Sequence, residues 1–167
     1  MRKHKWWEYV TNYVSQTRKP EGFLGKMMLG GMNSGHAKLA DWGFTHLPAI
    51  TPDRAVDLGC GGGRNADELL KKYPKAHVTA FETVYFWPGL EKCFAQVAKV
   101  LKPGGCFMIC NESDGTDPTS LKFEKIIDGM KNYTAEEIGA ALKAAGFSEV
   151  TSDHHPSRPW ITVLARK

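Results

Sequence analysis

Long apolar runs are missing from this 167-residue chain. No stretch approaches the roughly 20 residues that a membrane-crossing helix needs, and Met1 to Lys5 lead into Trp6-Trp7-Glu8 rather than into the apolar core of a secretory signal. Cysteine is scarce: Cys60, Cys93, Cys106 and Cys110 form no C-x-x-C pair and three of them stand in apolar contexts, so they read as small reduced core residues. A cytoplasmic location and no membrane contact are therefore expected. Charge of one sign is not concentrated either. The formal charge is +4, and the basic residues are scattered apart from Arg2, Lys3 and Lys5, which gives nucleic acid no footprint and reads as a solvated end. No Pro/Ser-rich linker or charge block divides the chain, so one domain with its own core is expected.

What is present is a glycine turn between an apolar segment and a helix. Arg54 to Leu58 reads as a short buried strand, and Asn65 to Lys72 as a helix with acidic residues early and lysines late, in accord with its dipole. Between them lies Gly59-Cys60-Gly61-Gly62-Gly63-Arg64. Glycines at 59, 61 and 63 permit positive φ and let a ligand approach bare backbone, while the first amides of the helix are unpaired donors. Two cofactor classes use such a turn. Gly61 to Ala66 can be read as the G-x-G-x-x-A variant of a dinucleotide loop, which keeps an NAD-dependent oxidoreductase as a third reading, although the strand would then end late.

The run Asp57-Leu58-Gly59-Cys60-Gly61-Gly62-Gly63 more closely resembles the D-x-G-x-G-x-G signature of class I S-adenosylmethionine-dependent methyltransferases. Leu90 to Val100 has a helical apolar face and runs through Leu101-Lys102-Pro103-Gly104-Gly105 into Cys106 to Cys110. This resembles that family's entry into its fifth strand. Pro103 and the two glycines end the helix and reverse the chain whatever the function. The resemblance covers about Pro52 to the C-terminus. It implies a Rossmann-like, doubly wound, mostly parallel sheet with a C-terminal antiparallel hairpin, here at about Glu149 to Asp153 and Ile161 to Ala165. It also implies an N-terminal helical cap over residues 1–51, with residues 52–167 as the core. Thr134 to Glu137 form a capping box before the Ile138 to Ala145 helix, and Leu121 to Met130 reads as a further helix.

The middle departs from the family pattern. Lys75 to Ala80 looks like the start of the second strand, whereas Phe81 to Pro88 looks like the end of the fourth, so the segment between them is absent. A fused strand must take one slot or the other. In the fourth slot it would force the Asn65 to Lys72 helix off its usual face, because crossovers are right-handed in about 98% of cases. In the second it would open a gap before Cys106.

The resemblance implies S-adenosylmethionine as cofactor, held by Asp57, Gly59, Cys60, Gly61, Gly63 and Asn65. A small-molecule acceptor would be faced by Glu82, Tyr85, Trp87, Asn111 and, from the cap, His36, with Glu112 beside Asn111. Glu82 could instead meet ribose hydroxyls, standing about twenty residues after the glycine turn. No catalytic base is assigned. His154-His155 lacks a third ligand at matching spacing and reads as a hairpin loop, so no metal is expected. Neither nucleic acid nor membrane is an expected partner, and a homodimer is compatible with the sequence. The competing reading is a noncatalytic, methyltransferase-like interaction module, favoured by the missing ribose and adenine elements.

Overall fold

The computed structural model describes residues 14, 16, 17, 19–48, 55–59, 64, 65, 68, 71 and 78–167. Trp6 to Tyr13, assigned above to the cap, and most of the Asn65 to Lys72 helix lie outside them.

Among the described elements α1 (Gly22–Gly35) and α2 (Ala37–Phe44) come first, separated only by His36. Then come β1 (Val56–Asp57), β2 (Val78–Phe81), α3 (Leu90–Val100), β3 (Cys106–Asn111), α4 (Pro118–Ile126), α5 (Ala135–Ala144), β4 (Ser148–His154) and β5 (Ile161–Arg166). The strands make one sheet in the order β1-β2-β3-β5-β4. β1, β2 and β3 are parallel, and β5 then runs antiparallel to both β3 and β4. Helix α3 ends where expected, before Leu101, whose backbone is extended. The capping box is formed: Thr134 Oγ1 accepts from the Glu137 amide at 3.2 Å, and the Glu137 carboxylate accepts from the Thr134 amide at 2.9 Å. Helix α4 begins and ends earlier than Leu121 to Met130. Asp117 caps it by accepting from the Ser120 amide at 2.9 Å, and Pro118 supplies a preformed first turn.

β2 settles the question of the fused strand. Val78 pairs with Val56 on one side and with Phe107 on the other, so the strand lies in the fourth slot. Each face of the sheet has its own apolar layer. Phe107, Ile109 and Val163 meet Phe94 of α3 and Ile138 and Leu142 of α5. Met108, Cys110 and Phe81 meet Leu39 and Phe44 of α2. Of the segment after β1, Arg64, Asn65, Glu68 and Lys71 are described. They lie beside α2, with Arg64 Nη2 3.7 Å from Asp41 and with Glu68 and Lys71 lining a shallow recess beside Asp41 and Phe44, so the displacement expected for a strand in the fourth slot is not seen at these residues.

Candidate functional site

Parallel strands bring their C-terminal ends to one edge of the sheet, and ligands of open α/β sheets bind there. Leu58 and Gly59 follow β1, Glu82 follows β2, and Glu112 follows β3. Residues far apart in sequence thereby become neighbours. Two cavities open at this edge. The first, about 470 Å³, is lined among others by Gly59, Asn65, Thr83, Trp87, Leu39 and Asn33. The second, about 430 Å³, is lined by Tyr85, Glu112 and a methionine-rich wall of Met28, Met32 and Met130 with Phe123 and Ile127. His36, Met32, Glu82 and Phe86 line both, so the cavities adjoin there.

Gly59 is glycine for a physical reason. Its φ is +76°, and a Cβ there would stand 2.5 Å from Thr83 Oγ1. Bare backbone therefore faces the first cavity. Asp57 accepts a hydrogen bond from Thr79 Oγ1 at 2.9 Å. Burial pushes its carboxyl up to about 6 against the opposing effect of that bond. Asn65 lines the same cavity, whereas Cys60, Gly61 and Gly63 lie outside the described residues.

Glu82 is the centre of the polar edge. It adopts φ +54°, an uncommon conformation for a residue with a side chain. Its Oε1 accepts from the Tyr85 hydroxyl at 3.1 Å and from the Glu112 amide. Burial, then the neighbouring Glu112 charge, pushes the Glu82 carboxyl up to about 8. Tyr85 is buried and its hydroxyl also accepts from the Ser113 amide at 3.3 Å. Burial and then the Glu82 charge hold that phenol well above its ordinary range. His36 Nε2 lies 3.6 Å from Glu112 Oε2.

His36, Glu82 and Tyr85 are thus brought together, with Glu112 among them. Trp87 lines the first cavity together with His36 and Glu82. Its Nε1 donates to Thr83 Oγ1 at 3.1 Å and its ring is nearly parallel to that of Phe107. Asn111 lines neither cavity. It is fully buried, and neither polar atom of its amide has a hydrogen-bond partner among the described residues. Met28 and Met32 of the wall stand in the cap segment Phe23 to His36 that the family resemblance assigns to covering the cofactor and forming the acceptor pocket, whereas no sequence signal marks Met130. His155 packs edge-on against Trp42 and Trp160, as a hairpin residue.

No protein-family model matches the chain. Solved structures do. A chain of the complex between the Haloferax volcanii Trm112 methyltransferase activator and a protein designated a methyltransferase superposes with a TM-score of 0.75. Identity is 16%, over 83% of this chain and 93% of that one. A SAM-dependent methyltransferase from Thermotoga maritima gives a TM-score of 0.62 at 16% identity, over 94% and 99% of the two chains. This is the class I methyltransferase fold. The human N-acetylserotonin methyltransferase, solved in complex with SAM, shares it at a TM-score of 0.66 and 15% identity. That match covers 84% of this chain but 55% of the human one, so the present chain spans about half of that enzyme. Within the methyltransferase fold, the cavity edge of this chain is the edge formed by its Gly59, Glu82 and Glu112.

Proposed function

We propose that this chain binds S-adenosylmethionine and transfers its methyl group to a small-molecule acceptor. The observation that carries the reading is the joining of two cavities at Glu82: one is floored by the bare backbone of Gly59 at the glycine turn, the other is apolar with a polar corner. The fit is physical. A cavity of about 470 Å³ lies within the size range of small-ligand sites, and the missing Cβ at Gly59 leaves room against Thr83. Gly59 and Asn65 would hold the cofactor, joined by Gly61 and Gly63 on the strength of the sequence motif.

When bound, the cofactor supplies a methyl group already activated by its sulfonium. What remains for the chain is to align the acceptor and exclude water. The methionines and Phe123 would enclose the acceptor's apolar body. His36, Glu82, Tyr85 and Glu112 would hold its nucleophilic oxygen or nitrogen, and the imidazole of His36 or the carboxylate of Glu112 would take up its proton.

The second reading, a noncatalytic interaction module, draws on the outer edge of β1, which carries no paired strand among the described residues. The Haloferax protein was itself solved with a partner. Incubation with methyl-labelled S-adenosylmethionine and a panel of hydroxylated and amine acceptors separates the two. Label transfer reduced at least tenfold in Glu82→Gln supports the enzyme. No binding of the cofactor by the folded chain supports the module.

A further inference from the structure

Three side chains from three separate parts of the fold converge where the cavities adjoin. His36 stands at the joint between α1 and α2, Glu82 directly follows β2 and Glu112 directly follows β3. One ligand atom from each, an imidazole nitrogen and two carboxylate oxygens, lies within 4.8 Å of the other two. We infer that His36, Glu82 and Glu112 form a site for one divalent transition-metal ion of the zinc type.

The donor set selects the class of ion. The borderline imidazole, joined by two harder carboxylates, suits zinc, whereas magnesium prefers an all-oxygen octahedral shell and retains its waters. Three protein ligands are also the number that leaves a coordination position open for a small molecule. The open position would face the cavities that all three residues border in whole or in part. Metal–ligand distances of about 2.0–2.2 Å bring ligand atoms to roughly 3.5 Å from one another, so the triad must contract. The Glu112 side chain is half exposed and can rotate to do this. Glu82 is held in place by the Tyr85 hydroxyl and the Glu112 amide, the kind of outer contact that orients metal-binding carboxylates.

Charge argues in the same direction. Among the described residues, no lysine or arginine pairs with Glu82 or Glu112, and His36 is the one basic side chain recorded as an ion-pair partner of either. Two carboxyl groups from separate strand ends thus stand together with His36 beside them and no lysine or arginine between. A cation in their midst would be met by donors from three elements and would make the site a holder of electron-rich groups. Resting on the methyltransferase reading, the ion's role would be to seat the hydroxyl of an alcohol or phenol acceptor and lower its pKa, easing loss of its proton.

The test uses the full chain stripped with EDTA and titrated with zinc chloride by calorimetry, with no S-adenosylmethionine or its product present. Loss of the cofactor reading therefore leaves this result untouched. One zinc per chain is expected, bound at least tenfold more weakly by His36→Gln and by Glu112→Gln, whose metal-free forms keep the wild-type far-ultraviolet circular dichroism. His155→Ala, on the exposed hairpin, should bind as wild type, and magnesium chloride should give no saturable heat at the same concentrations. Cobalt(II) in place of zinc should show visible absorption that is lost in both triad variants. The proposal is overturned by absence of one-to-one binding, by wild-type affinity in both triad variants, by loss confined to His155→Ala, or by equal affinity for magnesium.

Discussion

Asp57 and Glu82 show how the same physical cause gives two residues different prospects. Both carboxyls are raised by burial, but Asp57 has the Thr79 hydroxyl as a donor, whereas Glu82 also faces the charge of Glu112. For Asp57, a folded value of about 6 against an ordinary 3.8 means that the folded chain holds its proton more tightly than the unfolded chain. Stability from this group is therefore complete below about pH 4 and declines as the pH rises through 6. Asp57→Asn retains an oxygen that can accept from Thr79 and removes the buried charge. Urea unfolding should find the variant more stable at pH 8, by on the order of 2 kcal/mol, with the difference shrinking toward zero by pH 4. Space fixes the identity of Gly59, and Gly59→Ala should cost about 1–3 kcal/mol through positive φ and the encounter with Thr83. The same unfolding measurement reads it.

At the scale of elements, the close seating of α2 on the sheet depends on Gly43. A Cβ there would stand 2.7 Å from Cys110 Sγ and 3.0 Å from the Phe81 ring. Gly43→Ala should therefore destabilise by about 1–3 kcal/mol, and Cys110→Ala in the same chain should return part of that loss. A double-mutant cycle by chemical denaturation would show the coupling. Much at this scale was legible in the sequence. The apolar spacing of Leu90 to Val100 marks α3, Lys102 to Gly105 marks its end, and Thr134 with Glu137 marks the start of α5, because each signal is local. The slot of β2 was not legible, since pairing with both Val56 and Phe107 is a property of the sheet. Nor was the face taken by the helix after β1. β1 to β2 and β2 to β3 step across the sheet in the same direction, yet that helix lies beside α2 and α3 lies on the opposite face. Right-handed crossovers would put both on one face. The observed placement follows if the second and third strands of the methyltransferase pattern are absent while the first helix keeps its position.

For the whole molecule, the sheet edge turns scattered sequence positions into one site. His36, Glu82 and Glu112 share no motif, and only the parallel order of β1, β2 and β3 beneath the α1–α2 joint brings them together. Sequence reading found His36 and Glu82 as candidates through their places in the cap and at a strand end, but it had no means to show that they meet. It placed Asn111 with them, and there the period of the strand decides otherwise: Asn111 is still paired with Ile161 inside the sheet, and Glu112, one residue on, reaches the cavity. The methyl-transfer reading joins this edge to the glycine turn, and it depends on cofactor binding by a chain in which β1 has no outer neighbour among the described residues. Calorimetric titration of S-adenosylhomocysteine into the wild-type chain and Gly61→Val tests that dependence most directly. Saturable one-to-one binding with micromolar affinity in the wild type, at least tenfold weaker in the variant, is the expected result; no binding by a folded wild-type chain would contradict it.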